Sequence, residues 1–119
     1  KNLKLKYKLL HNPRCRKSRE SLIFLKSNKI DFEIILYLIN KLDRNEFKKI
    51  IENSGLTITD FIRTQEKLWK SSFKTKKLSE NEILQIFEHN PTLIQRPIFF
   101  SSKKSVIANP PEKILEVIN

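Results

Sequence analysis

The chain has 119 residues, 39% of them hydrophobic, and a formal net charge of +11. This length and mixture predict one globular domain over residues 1–119 and exclude a disordered chain. The longest apolar run, residues 34–39, is far too short to cross a bilayer, and the basic N-terminal stretch lacks the pattern of a secretory signal, so no membrane partner is expected.

The positive charge is spread over the chain. Lysine outnumbers arginine 18 to 6, and no basic stripe is interleaved with aromatic residues. We therefore expect no nucleic-acid partner. The arginines are more informative, because their forked donors suit a tetrahedral oxyanion or a carboxylate. Five of the six stand at positions 14, 16, 19, 63 and 96.

The first third of the chain predicts a β-α-β unit. Residues 3–10 alternate leucine or tyrosine with lysine, which is typical of a strand with one solvated face. Residues 15–28 have a helical pattern, and residues 31–36 have the β-branched composition of a second, buried strand. The short link between helix and strand makes the unit compact.

The middle of the chain predicts a helical insertion over about residues 43–90. Asp43 and Ser79 each precede a glutamate by three residues, which is the capping-box spacing. Gly55 suits the C-terminal cap of the first of these helices. Thr59 is predicted to cap a short segment between them.

The last part predicts a β-hairpin, with strands at 98–100 and 106–108, and a final helix that starts at Pro110-Pro111. The element order is that of an α/β, thioredoxin-like fold, a mixed four-stranded sheet with flanking helices and a helical insertion. In such a fold Pro97, at the entry to the third strand, is the candidate cis-proline.

Cys15 is the only cysteine and the candidate catalytic residue. It stands between the first strand and the first turn of a helix, where unpaired N–H groups and the helix dipole favour a thiolate. Its neighbours add positive charge that lowers a thiol pKa; they are Arg14, Arg16, Lys17 and Arg19. The alternative is a small buried hydrophobic residue, which these charges disfavour.

Two residues are candidates to support this thiolate. Ser18 follows three positions later on the same helix face, so its hydroxyl can hydrogen-bond the sulfur. His11 is either a nearby cation or donor, or simply a turn residue at a strand end. His89 is predicted to lie at a helix end as a partner of the dipole. No metal site is expected from two histidines and one cysteine scattered in this way.

The spacing of Cys15 and Ser18, C-x-x-S, determines how a redox cycle would be completed. With no second cysteine in the sequence, a mixed disulfide of Cys15 cannot be resolved within the chain. The cycle requires an external thiol, for which glutathione or a glutaredoxin is the expected source. A reactive thiol suits a reducing compartment, so a cytoplasmic location is expected, with no bound cofactor.

Four motifs in order resemble one family. They are His11-Asn12-Pro13-Arg14-Cys15 with Lys17-Ser18-Arg19, Arg63-Thr64 before Glu66, Leu93-Ile94-Gln95-Arg96-Pro97-Ile98, and Pro110-Pro111-Glu112-Lys113. Over about residues 6–118 the chain resembles the glutaredoxin-coupled arsenate reductases, which are thioredoxin-like proteins with a helical insertion.

The resemblance implies an arsenic-detoxifying thiol oxidoreductase. The cysteine attacks arsenate, glutathione adds to the arsenic as co-substrate, and glutaredoxin releases arsenite. The site residues that it implies are catalytic Cys15, thiolate-supporting His11 and Ser18, oxyanion-binding Arg63 and Arg96, and cis Pro97. We expect the protein to act as a monomer.

Two positions depart from the family pattern. Asn109 stands where the family usually carries a third anion-binding arginine, and Arg16 stands beside the cysteine where members tend to have a small residue. Losing one charge-assisted partner costs about 1.5–3 kcal/mol where it is buried. Arsenate binding is therefore expected to be weaker, with partial compensation from Lys103 or Lys104.

Two alternatives remain open. One is an arsenate-reductase-like protein that acts on another substrate. The other is a redox-linked transcription regulator that binds RNA polymerase, as thioredoxin-like proteins of the same superfamily do. Such regulators often sense redox state through C-x-x-C, and Ser18 takes the place of the second cysteine here.

Overall fold

The computed structural model describes residues 6–118, which group into two compact units. The sheet unit runs to Asn40 and resumes at Arg96, and the helical unit is Lys41–Gln95. The helical unit coincides closely with the predicted insertion at 43–90, so that prediction is confirmed. The single domain over residues 1–119 remains a prediction.

The sheet unit contains a mixed four-stranded sheet. Its described strands are β1 (Lys8–Leu10), β2 (Glu33–Ile35), β3 (Ile98–Phe100) and β4 (Ser105–Ile107), in the order β2-β1-β3-β4. β1 is parallel to β2, and β3 is antiparallel to β1 and β4. This arrangement confirms the predicted thioredoxin-like fold class. Part of the predicted first strand, residues 3–5, lies outside the described residues.

The helices have the following bounds: α1 (Arg16–Ser27), α2 (Arg44–Ser54), α3 (Lys67–Ser72), α4 (Glu80–His89) and α5 (Leu115–Ile118). A 3-10 turn, Pro111–Ile114, leads into α5, so the predicted final helix begins as a tighter turn. Within residues 6–118 every helix is too short or too polar to span a bilayer.

The core of the sheet unit holds α1 against the strands. Leu25 of α1, Leu9 of β1 and Phe99 of β3 are fully buried in one cluster, to which Ile114 contributes from the last turn. Burying a side chain of this size stabilises a fold by about 1.5–3 kcal/mol relative to leaving it exposed. This packing holds α1 against β1 and β3.

Three predicted helix caps are confirmed in the helical unit. The Asp43 carboxylate accepts the N–H of Glu46 at 3.0 Å, and α2 ends at Gly55 with a φ of 75°, where glycine avoids the cost of a Cβ. Ser79 and Glu82 cap α4 reciprocally.

The predicted cap at Thr59 is wrong by two residues. Thr59 lies inside a 3-10 turn, Ile58–Phe61, which Thr57 caps together with Asp60. The Thr57 N–H donates to the Asp60 carboxylate at 3.0 Å. The hydroxyls of Thr57 and Thr59 lie 2.8 Å apart, and because both can accept at a helix start, the pattern alone could not separate them.

The prediction of a buried second strand is also wrong. Glu33 is exposed and Ile34 is 42% exposed. The cause is the position of β2, which is an edge strand that pairs with β1 and has no second strand beside it among the described residues. An edge position leaves part of an apolar run open to solvent.

Candidate active site

Cys15 occupies the N-cap position of α1. Its backbone is extended, with φ of −92° and ψ of 123°, and its carbonyl accepts the N–H of Arg19 at 3.0 Å as the first hydrogen bond of the helix. The residue is partly exposed. The thiol therefore lies beside the free N–H groups of a helix start and is accessible to a small reactant.

The loop that carries Cys15 is held by Asn12, which is only 6% exposed. The side-chain oxygen of Asn12 accepts the Arg14 N–H at 3.0 Å, and its carbonyl accepts the Cys15 N–H at 2.9 Å. On the other side, the Arg19 guanidinium donates to the Pro13 carbonyl at 2.9 Å. This role of Asn12 was not among the predicted ones, although an asparagine before a proline is a known signal for such a turn.

Arg96 is the charged partner of Cys15. Burial alone would raise the pKa of Cys15, but a hydrogen bond from the Arg96 guanidinium, the N–H groups of Ser18 and Lys17, and the charge of Arg96 outweigh it. The pKa of Cys15 therefore lies below its ordinary value, as expected of a nucleophilic thiolate.

The sheet topology brings these two residues together across 81 positions of sequence. Arg96 precedes Ile98 by two residues, and Ile98 pairs with Leu10 at the end of β1, from which the chain continues to Cys15. The peptide bond between Arg96 and Pro97 is cis. A second cis bond, which the sequence did not predict, joins Asn109 to Pro110.

The Ser18 hydroxyl does not bond the sulfur as predicted. It lies 2.6 Å from His11 Nδ1 and accepts the Asn12 N–H at 3.0 Å. The reason is geometric, since a helical side chain tilts toward the helix N-terminus, where the buried Ser18 meets the loop. Ser18 supports the thiolate with its backbone N–H instead.

His11 is a buried histidine with a lowered pKa. It is 5% exposed, burial lowers its pKa, and the positive charge of Arg19 lowers that pKa further. Its ordinary pKa is already below neutral pH, so the folded protein holds the ring uncharged. The lowered pKa disfavours the alternative of a nearby cation, and the structure shows His11 as the hydrogen-bond partner of Ser18.

Arg63 lies in the helical unit. Its guanidinium pairs with Glu66 at 2.5 Å, and its backbone N–H donates to the Leu93 carbonyl at 2.8 Å. Its side chain is 20% exposed. Arg63 is therefore anchored at both ends, with its charge already balanced by a carboxylate.

The two departures from the family pattern are both at the surface of the sheet unit. The Arg16 side chain is 86% exposed and pairs with Glu20 at 3.5 Å, one turn along α1. Asn109 is exposed, and its N–H donates to the Ile107 carbonyl at 2.8 Å. In residues 6–118, no three side chains of the histidine, cysteine, aspartate or glutamate type converge in a way that could hold a metal ion.

The chain is similar to known proteins of one family. The sequence model of the ArsC family matches residues 10–117. YfgD, an uncharacterized protein of Escherichia coli, is 36% identical over 93% of this chain and 95% of its own length. An arsenate reductase of Haemophilus influenzae is 35% identical, with 92% and 97% covered. The structure of an arsenate reductase from Vibrio cholerae superposes with a TM-score of 0.88 at 30% identity, covering 95% of this chain and 98% of that one.

The role of Arg96 is tested by Arg96→Gln, which removes a charged donor from the thiolate. We expect the pKa of Cys15 to rise, so the midpoint of its pH-dependent alkylation by iodoacetamide moves to higher pH. Arg16→Gln is the matched control, since it removes an equal charge from the next residue without a hydrogen bond to the sulfur. Equal shifts in both variants would show that general positive charge lowers the pKa, and not the Arg96 contact.

The buried His11 predicts a loss of stability in acid. Because its pKa is lowered on folding, the unfolded chain binds the proton first as the pH falls below about 6.5, and the free energy of unfolding decreases. His11→Gln should make this decrease shallower between about pH 7 and pH 5 in urea unfolding. The exposed His89→Gln is the control and should retain the full decrease; an unchanged slope in His11→Gln contradicts the prediction.

Proposed function

Because the chain belongs to the ArsC family, we propose that it is a cytoplasmic arsenate reductase in which the Cys15 thiolate attacks arsenate. Glutathione is the co-substrate and a glutaredoxin is the protein reductant. The observation that carries the proposal is the Arg96 guanidinium bonded to Cys15 at the start of α1. That contact supports a role for Cys15 as the nucleophile and for Arg96 as a donor to the oxyanion.

The first step is nucleophilic attack by sulfur on arsenic(V). A sulfur–arsenic bond forms, one arsenic–oxygen bond breaks, and the displaced oxygen leaves as water after protonation. Glutathione replaces a second oxygen in the same way. A glutaredoxin thiol then attacks the glutathione sulfur, and the electron pair of the broken sulfur–arsenic bond reduces arsenic(V) to arsenic(III). Water finally displaces Cys15 and releases arsenite.

The residues around the sulfur have separate roles in these reaction steps. The N–H groups of Ser18 and Lys17 hold the thiolate before attack, and they stabilise it again when arsenite leaves. Arg96 donates to the oxyanion that arrives beside the sulfur. The family resemblance also assigns Arg63 to oxyanion binding.

The requirement for an external reductant follows from the single cysteine of the sequence. Cys15 is the only cysteine in the sequence, so no second thiol of the chain can complete the cycle. This requirement fits a glutathione- and glutaredoxin-dependent reductase, and it excludes a cycle that resolves through an internal disulfide. It also fits a compartment in which thiols are kept reduced.

The function is tested by arsenate-dependent oxidation of NADPH, coupled through glutathione, glutaredoxin and glutathione reductase. We expect turnover by the wild type, none by Cys15→Ser, and none when glutaredoxin is omitted. Turnover that persists in Cys15→Ser would contradict the mechanism. If the wild type is silent but retains RNA polymerase in a pull-down, the transcription-regulator alternative is correct.

Asn109 favours a second candidate, a reductase of the same mechanism that acts on another oxyanion. The family's third anion-binding arginine is absent at this position, and the asparagine there is exposed. A site with fewer charged donors binds a highly charged anion less tightly. Arsenate would then be a poor substrate of a competent thiol site.

Asn109→Arg distinguishes these two candidates. Restoring one charge-assisted donor should lower the KM for arsenate by about tenfold or more, with little change in kcat. Asn109→Lys is the matched control; it adds the same charge without a forked donor and should lower the KM less. An unchanged KM in Asn109→Arg would show that this loop takes no part in oxyanion binding.

A further inference from the structure

The buried hydroxyl of Ser21 is not used by the proposed mechanism. Ser21 is fully buried on α1, three residues after Ser18 and on the same face of the helix. A serine within a helix commonly bonds a carbonyl of the preceding turn. The Ser21 hydroxyl instead donates to the carbonyl of Ala108 at 2.9 Å, 87 positions away in the sequence.

Ala108 continues this connection to the start of β3. Its N–H donates to the Pro97 carbonyl at 2.9 Å, which extends the β3–β4 ladder by one rung. Both Ala108 and Pro97 are fully buried. Two short hydrogen bonds in the sheet unit therefore join α1, which carries Cys15, to the residue that follows Arg96.

We propose that Ser21 is a positioning residue that fixes Arg96 relative to Cys15 through Ala108 and Pro97. Cys15 is the N-cap of the helix that carries Ser21, and Arg96 is bonded directly to Pro97. The two hydrogen bonds therefore set the separation between the sulfur and the guanidinium. A guanidinium donates along fixed directions, so a small displacement of its backbone weakens its bond to the sulfur.

Ser18 and Ser21 each attach a different turn of α1 to a neighbouring segment. Ser18 ties the first turn to the loop that precedes Cys15, through His11 and Asn12. Ser21 ties the next turn to the opposite side of the site, where Arg96 enters β3. Apolar contacts hold α1 against the sheet but tolerate small sliding, whereas a buried hydrogen bond is directional and costly to break.

The inference rests on the proposed pairing of Cys15 with Arg96, and its test reads the thiol alone. Cys15 is the only thiol in the chain, so alkylation by iodoacetamide reports on it without ambiguity. We expect Ser21→Ala to raise the midpoint of the pH-dependent alkylation. Its rate constant at neutral pH should fall about threefold, as for partial loss of one hydrogen bond.

Ser101→Ala is the matched control. The Ser101 hydroxyl is also buried and accepts the N–H groups of Lys103 and Lys104 at 3.2 Å, but it lies in the turn at the other end of the β3–β4 hairpin. We expect it to leave the alkylation midpoint unchanged. A shift as large as that of Ser21→Ala would mean that any buried serine loss in this hairpin disturbs the thiol, and the proposal would be wrong.

The decisive comparison is made in the Arg96→Gln background. If Ser21 acts through Arg96, adding Ser21→Ala to Arg96→Gln should change the alkylation midpoint little further. A full additional shift in the double variant overturns the proposal, because Ser21 would then act on Cys15 by another route. Arsenate is absent from this experiment, so a wrong substrate assignment leaves its outcome unaffected.

A second pair of variants applies if Ser21→Ala does not fold. Ser21→Thr and Ser21→Val have nearly the same shape, and only the threonine keeps a hydroxyl. We expect the threonine variant to alkylate faster at neutral pH than the valine variant. Equal rates in this pair would also overturn the proposal.

Discussion

Negative charge on one sulfur is the constraint on which the site depends. Desolvation opposes a thiolate at Cys15, and the structure counters it with two backbone N–H groups and one guanidinium. The N–H groups belong to the first turn of α1, whereas Arg96 lies 81 residues after Cys15 in the sequence. The pairing of Leu10 with Ile98 in the sheet brings Arg96 close to the loop that carries Cys15.

Local signals in the sequence predicted most of the fold. Asp43, Gly55 and Ser79 act where their spacing placed them, because a cap depends on a few neighbouring residues. Burial of β2 was predicted wrongly, since an apolar run does not reveal whether a strand lies at the edge or the centre of a sheet. Thr59 was misassigned because two threonines two residues apart suit the same cap.

The sequence named the residues of the candidate site, and their roles stay predictions, but it could not predict their contacts. Charge and position identified Cys15, and motif order identified Arg96. The sequence could not show that the Ser18 hydroxyl bonds His11 instead of the sulfur, or that burial keeps His11 neutral. Those properties depend on side-chain direction and desolvation. The contact of Ser21 could not be predicted, because its partner is the backbone carbonyl of Ala108. A backbone group leaves no signal in the pattern of side chains.

The partly exposed thiol of Cys15, whose pKa is lowered, has a consequence for oxidative damage. Peroxide converts an accessible thiolate to a sulfenic acid, which neighbouring thiols normally trap as a disulfide before further oxygen is added. Cys15 has no such neighbour in its own chain, so only a thiol from another molecule can rescue it. Without such a thiol, the sulfur is open to irreversible oxidation to the sulfinic and sulfonic acids.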